Sequence, residues 1–203
     1  MDNRLLEIIN KIELLNAELR KEYRNQRDIY GYSFNKKRIE FLEEFRKRNL
    51  ALRIPTWKYL IPKNFRHFLS IPFIYFMIIP LVILDISVTI YHAIAFSLYR
   101  IPKIKRNDYI IFDRQFLDYL NIVQKINCVY CSYANGLMAY AGEIAARTEL
   151  YWCPIKAANK PISSHTWYRD YADYGNAEDW KNKFNDIRAF SKVSDKNKTS
   201  GNK

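Results

Sequence analysis

The sequence predicts a mostly α-helical, membrane-attached protein with three parts. These are a basic N-terminal helical hairpin, one kinked or re-entrant hydrophobic membrane helix, and a small helical C-terminal domain that holds all the cysteines. Three observations carry this reading. Charge is distributed very unevenly, apolar residues recur at helical three-four spacing, and strand signals are scarce, the short run Tyr109 to Phe112 being the best. The expected organisation is a basic region over 1–67, a membrane anchor over 68–99, a Cys-containing helical domain over 100–190, and a disordered polar tail over 191–203.

At 203 residues the chain has room for one ordinary domain and an attachment. Residues 1–67 carry a net charge of +7 and residues 100–203 a net +6, whereas residues 68–99 hold a single charge, Asp85. A pI near 9.5 attracts polyanions in general. The placement of the charges favours anionic lipid over nucleic acid. Lys58, Lys63 and Arg66 precede the apolar stretch, and Arg100, Lys103, Lys105 and Arg106 follow it, where basic residues meet lipid head groups. The first 30 residues have no apolar core or small-residue cleavage site, so no secretory signal is expected there.

Residues 2–24 read as an amphipathic helix, with Leu5, Ile8, Ile12, Leu15 and Leu19 on one face. That face either packs on its own protein or forms a short coiled coil. Gly31 marks a turn, Ser33 caps a second helix over about 34–52, and Pro55 ends it.

The apolar stretch from Phe68 to Tyr99 would be roughly 48 Å long as one helix, against a hydrocarbon core of about 30 Å. Pro80 near its middle predicts a kink or break. A single kinked span over 75–97 and a re-entrant hairpin turning near Pro80 both fit, as does a core helix of a soluble protein. Trp57, Tyr59, Tyr99 and Tyr109 sit near the ends, where amphipathic rings favour the interface. Beyond the anchor, Asp113 is expected to cap a helix to about Lys125, residues 134–150 to be helical, and Asn176 to cap a last helix through Phe190.

Asp85, Thr89 and His92 are spaced to share one helix face. An ionisable residue at membrane depth points to a function, here a proton relay, a quinone site or a ligand at His92. The plainer reading is a face packed against the rest of the protein, with Asp85 paired to His92 or to a basic group elsewhere.

Three cysteines cannot complete a disulfide framework within one chain. Cys128 and Cys131 form a C-x2-C pair that can hold a zinc or iron ion, with Cys153 as third ligand and His165 as fourth. Glu143 and Glu149 are weaker candidates, as ligands or as acid/base groups. Buried structural thiols, or a redox dithiol with a thiolate at a helix N-terminus near Ser132, are the alternatives. Glu143 and Arg147 make an i,i+4 pair, which on a solvated face only stabilises the helix. Lys125 and Glu143 enclose 17 uncharged residues, a hint of a second membrane contact that Asn127, Ser132 and Asn135 keep short of a full span.

The passage Cys128-Val129-Tyr130-Cys131-Ser132-Tyr133-Ala134-Asn135-Gly136, with Ala145-Ala146-Arg147-Thr148-Glu149 and Tyr151-Trp152-Cys153-Pro154-Ile155-Lys156, resembles a family of uncharacterised bacterial membrane-associated proteins. The likeness runs from about Phe68 to Tyr174 and implies bacterial origin and a membrane location. It implies no reaction. The expected place of the chain is the cell inner membrane, with its bulk in the cytoplasm. Members it resembles carry a His after the Cys-Pro-Ile-Lys run, and this chain has Ala157 there.

The sequence has no H-E-x-x-H, G-x-S-x-G, P-loop or dinucleotide fingerprint, and only five glycines. The expected function is therefore a membrane-anchored, cytoplasm-facing protein with a three-Cys zinc or iron site. The alternatives are a non-catalytic scaffold or assembly subunit of a larger membrane complex, and a membrane enzyme acting on a lipid or quinone.

Overall fold

The computed structural model of the chain describes residues 3–35, 38–60, 65–159, 161 and 164–185. Those residues are mostly helical and include one long apolar helix. They divide into two compact units that interleave in sequence: 1–62 with 113–129, and 63–112 with 130–203. The division departs from the sequential blocks expected above. The apolar helix is not an appendage, because its inner face belongs to the core of the second unit.

In the first unit, α1 (Asn3–Ile29) is one long helix. Its expected seam is not covered, since Ile12, Leu15 and Leu19 are all exposed. An antiparallel hairpin follows, β1 (Tyr32–Asn35) with β2 (Arg38–Phe41), in the register Tyr32↔Phe41 and Phe34↔Ile39. This corrects the expected helix from residue 34. Tyr32, Phe34, Ile39 and Phe41 alternate with polar residues, and this period of two outweighs a helical reading too short to repeat. Gly31, at φ 60°, makes the turn out of α1 in the left-handed region and lies under the Phe45 ring, where a Cβ would collide.

The second expected helix is confined to α2 (Glu43–Ala51), with Glu43 and Glu44 in its first turn and Arg48 in its last, each complementing the helix dipole. A short α3 (Thr56–Leu60) follows Pro55. The helix expected from Asp113 is a single 3-10 turn, Arg114–Phe116. The long helix α6 (Ile122–Trp152) starts later, at Asn121. There the Gln124 N–H donates to Asn121 Oδ1 and the Asn121 N–H to Gln124 Oε1, both at 3.0 Å, forming a reciprocal capping box. Asn121 is fully buried and also donates to the Ile54 carbonyl at 3.2 Å. Asn121→Ala is expected to cost about 1–2 kcal/mol, read as a shift in denaturant midpoint with unchanged slope.

In the second unit, α4 (Phe65–Phe76) and α5 (Ile78–Leu98) are joined only by Met77, itself in right-handed helical conformation. A reversal needs a loop of about 2–5 residues, so α4 and α5 run on as one rod interrupted at Met77. Pro80 lies in the first turn of α5, where its missing N–H costs nothing, and the helix is interrupted just ahead of it, at Met77. Residues 69–98 are long and apolar enough to cross a membrane, and only 6% of the most apolar window is buried.

Tyr99 and Arg100 end α5. The Ile101 N–H donates to the Phe96 carbonyl at 2.9 Å, and Arg100 takes the left-handed conformation at φ 56°, as in a Schellman cap. That position normally belongs to glycine. Arg100→Gly should raise stability by about 1 kcal/mol, a gain that thermal unfolding in detergent would register.

From there Ile101 to Phe112 runs back as a mostly irregular strap. Ile104 and Ile110 enter a core with Leu81, Phe96, Leu137, Tyr140 and Ile144. Tyr130, Tyr133, Leu137, Tyr140 and Ile144 form a three-four stripe along α6 that faces α5 and the strap. After α6, Ile155 bridges in parallel to Ala172, and the buried Tyr171 donates to the Ala146 carbonyl at 3.1 Å. Asn176 caps a helix seen over 177–185 by accepting the Asp179 N–H at 3.0 Å. Residues 186–203, including the expected tail and the end of that helix, lie outside the described residues.

Candidate functional site

Asp85 and His92 of the apolar rod turn inward to the protein. Asp85 Oδ2 accepts from Arg106 Nη2 at 2.6 Å and from the Tyr133 hydroxyl at 2.9 Å, while Oδ1 accepts from Thr89 at 3.3 Å. Of the two partners foreseen for Asp85, the structure selects the distant base: Arg106, brought back by the strap, and not His92. The Asp85 side chain is 14% exposed and that of Arg106 is 43% exposed, so the pair sits at the rim of the packed face.

His92 is buried and its ring is engaged at both nitrogens. Nε2 accepts the Ile104 N–H at 3.0 Å, and Nδ1 lies 3.2 Å from the Tyr140 hydroxyl. Since Nε2 is the acceptor, the proton belongs on Nδ1. No nitrogen lone pair is left over for haem or a metal. The ring also packs edge-on against Phe96, at 4.7 Å between centroids. This stripe is a packing face whose polar groups are satisfied by one another.

Further along α6, Glu143 Oε1 accepts from Arg147 Nε at 2.7 Å and from the Trp167 indole N–H at 2.9 Å. The Arg147 guanidinium lies 5.3 Å from the Trp167 ring centroid and donates to the Pro102 carbonyl at 2.9 Å. Both side chains of this pair are largely covered, so the expected helix-surface pair is instead a clamp holding strap, helix and the Trp167 segment together. A carboxylate bound on that many sides is poorly placed as a free base.

The three cysteines are not brought together. Cys128 and Cys131 lie inside α6, and Cys153 just beyond its end. At 1.5 Å rise per residue, Cys131 and Cys153 are roughly 30 Å apart, too far for one ion. The structure does not bring Cys128 and Cys131 together with Cys153, as the expected set with His165 requires. Among the described residues no group of three His, Cys, Asp or Glu is arranged to hold a metal. The redox alternative loses its support for the same reason. Because α6 begins at Ile122, Cys131 lies past the orphan N–H groups of a helix start. Cys131 and Cys153 are exposed and Cys128 is half-buried, so burial does not account for all three either.

His165 instead meets Glu149. Its Nε2 is 3.3 Å from Glu149 Oε2 and 3.4 Å from the Tyr171 hydroxyl, and its Nδ1 is buried without a hydrogen-bond partner among the described residues. Burial, reinforced by Glu149, pushes the Tyr171 phenol far above its ordinary range, so it acts only as a neutral donor. Nearby, the hydrogen bond from Lys156 at 2.7 Å holds the Asp173 carboxyl below the usual carboxylate range.

Of the expected lipid-facing bases, Lys58, Arg66, Arg100, Lys103, Lys105 and Arg106 are all exposed, and Lys63 lies outside the described residues. Sequence reading missed Tyr133 and Tyr140, the α6 partners of the polar stripe. Their signal was two tyrosines seven positions apart, on one helix face, in an uncharged run. No family model, curated protein or solved structure matches the chain.

Proposed function

We propose that the protein is attached to a membrane through the rod α4–α5 and acts there as a non-catalytic binding or assembly subunit. The observation that carries this reading is the division of the rod into two faces. Its polar stripe is used up in internal bonds, while Phe73, Val82, Ile83, Ile86, Ile90 and Ile94 lie exposed. A contiguous apolar surface of that kind marks a membrane or partner contact. The groups that would do chemistry (Asp85, His92, Glu143) hold the fold together instead. The long exposed helix α1 and the uncovered seam on it supply a surface for assembly.

Extraction in mild detergent followed by size-exclusion chromatography tests the reading. A partner at fixed ratio is expected, retained in a chain carrying Cys128→Ser, Cys131→Ser and Cys153→Ser. A chain that elutes alone, or that loses its cellular role with the three cysteines, contradicts it.

A further inference from the structure

The orientation of the rod deepens that reading and rests on it. We infer that the rod lies in the plane of one leaflet, its apolar arc among the acyl chains and the basic strap at the level of anionic phospholipid head groups, rather than crossing the bilayer.

The position of the charges decides between the two orientations. Residues 69–98 form a rod of about 45 Å, and Asp85 lies about 24 Å from its start. Wherever a core of about 30 Å is laid along that rod, Asp85 and its partner Arg106 fall inside it. The Arg106 side chain is 43% exposed, and Lys103 and Lys105 on the same strap are exposed as well. A spanning rod would therefore carry three cations and an irregular backbone at bilayer depth, where neither is tolerated facing lipid.

Laid flat, the same structure has no such conflict. The strap covers the stripe that contains Asp85 and His92, so the exposed arc points away from it. A helix with its side chains is about 10–12 Å across, which lifts the strap to the head-group layer when the arc is immersed by about 5–10 Å.

Two further features fit lipid in particular as the occupant. The hydroxyls on the exposed side of α5 need no water. Ser87 donates to the Ile83 carbonyl at 2.8 Å and Ser97 to the Ala93 carbonyl at 2.6 Å, and Tyr91 is 3.1 Å from the Thr148 hydroxyl. Such self-satisfaction is what an apolar solvent demands. The cations Arg66, Arg100, Lys103, Lys105 and Arg106 complement anionic head groups, each adding attraction close to the surface.

The test uses the full chain in sealed vesicles of phosphatidylcholine with phosphatidylglycerol, probed by a membrane-impermeant maleimide. One variant keeps only Cys153, which follows directly on Trp152, the residue stacked edge-on against Tyr99 at the far end of the rod. The other carries Arg66→Cys, at the near end, with the three native cysteines replaced by Ser. Both sites are expected to label equally from outside, with no increase after the vesicles are lysed. Labelling of one site only after lysis would mean a span and would overturn the orientation while leaving attachment intact. Failure of the chain to float with vesicles would overturn attachment itself, and recruitment of a protein to the arc instead of lipid would do the same. Severalfold weaker flotation is expected without phosphatidylglycerol, and equal flotation would remove the head-group role. If either variant misfolds, external trypsin on the unaltered chain reads the same question. Cleavage on both sides of the rod is expected, and protection of one side overturns the proposal.

Discussion

Asp85→Ala is expected to lower the unfolding free energy by about 3 kcal/mol, more than any other side-chain truncation on the polar stripe. The carboxylate accepts from Arg106, Tyr133 and Thr89, three donors on three parts of the second unit. Removing it strands the Tyr133 hydroxyl and leaves Arg106 without its anion beside an apolar helix. The half-exposed guanidinium recovers part of its solvation in water, which keeps the cost below that of a fully buried pair. Asp85→Asn retains an acceptor for Tyr133 and should cost less. Chemical unfolding in mild detergent ranks the two. Equal losses would mean that the charge, and not the shape or the retained acceptor, is what the site requires.

Gly136→Ala is expected to destabilise the protein by about 1–3 kcal/mol. A Cβ at Gly136 would lie 2.7 Å from the Tyr109 carbonyl oxygen and 2.8 Å from the Ile110 Cα. Both are backbone atoms of the strap, so the clash cannot be relieved by a rotamer change. The strap would have to lift, pulling Ile110 from the core and loosening the return of Arg106 to Asp85. Gly142, six residues on in the same helix, has nothing within 4 Å. Gly142→Ala should therefore stabilise, by roughly 0.5–1 kcal/mol from helix propensity alone. Opposite signs from the same substitution on one helix would locate the strap contact by thermodynamics. A stabilising Gly136→Ala would contradict the packing.

The elements legible in the sequence were those with local causes. The apolar rod, the interruption near Pro80, the end of α5 and the Asn176 cap each follow from residues a few positions apart. The hairpin at Tyr32–Phe41 was hidden because two short alternating runs lie between helices, and each is too brief to declare its period against a helical background. The start of α6 was misplaced because Asp113 is as good a cap by type as Asn121. What singles out Asn121 is the reciprocal bond with Gln124, together with burial against Ile54.

The site was harder to read, since it depends on contacts distant in sequence. Asp85, Thr89 and His92 share a face as their spacing requires, but nothing local says that a strap returns to cover it. The C-x2-C pair looked like a ligand set because residue types alone carry no distance. In the structure the pair lies within one 31-residue helix that ends before Cys153, which keeps the three thiols apart.

In the proposed reading, the exposed arc of α4–α5 attaches the protein to a membrane. The most direct measurement is the partition of the full chain between membrane and supernatant at high salt and alkaline pH, compared with a chain carrying Ile86→Glu and Ile90→Glu. Both isoleucines are exposed on the arc and face away from the core, so the fold should survive, as circular dichroism would verify. The unaltered chain is expected to stay with the membrane until detergent is added, and the double variant to move to the supernatant. A wild-type chain found folded in the supernatant, or a double variant that remains in the membrane, would contradict that reading.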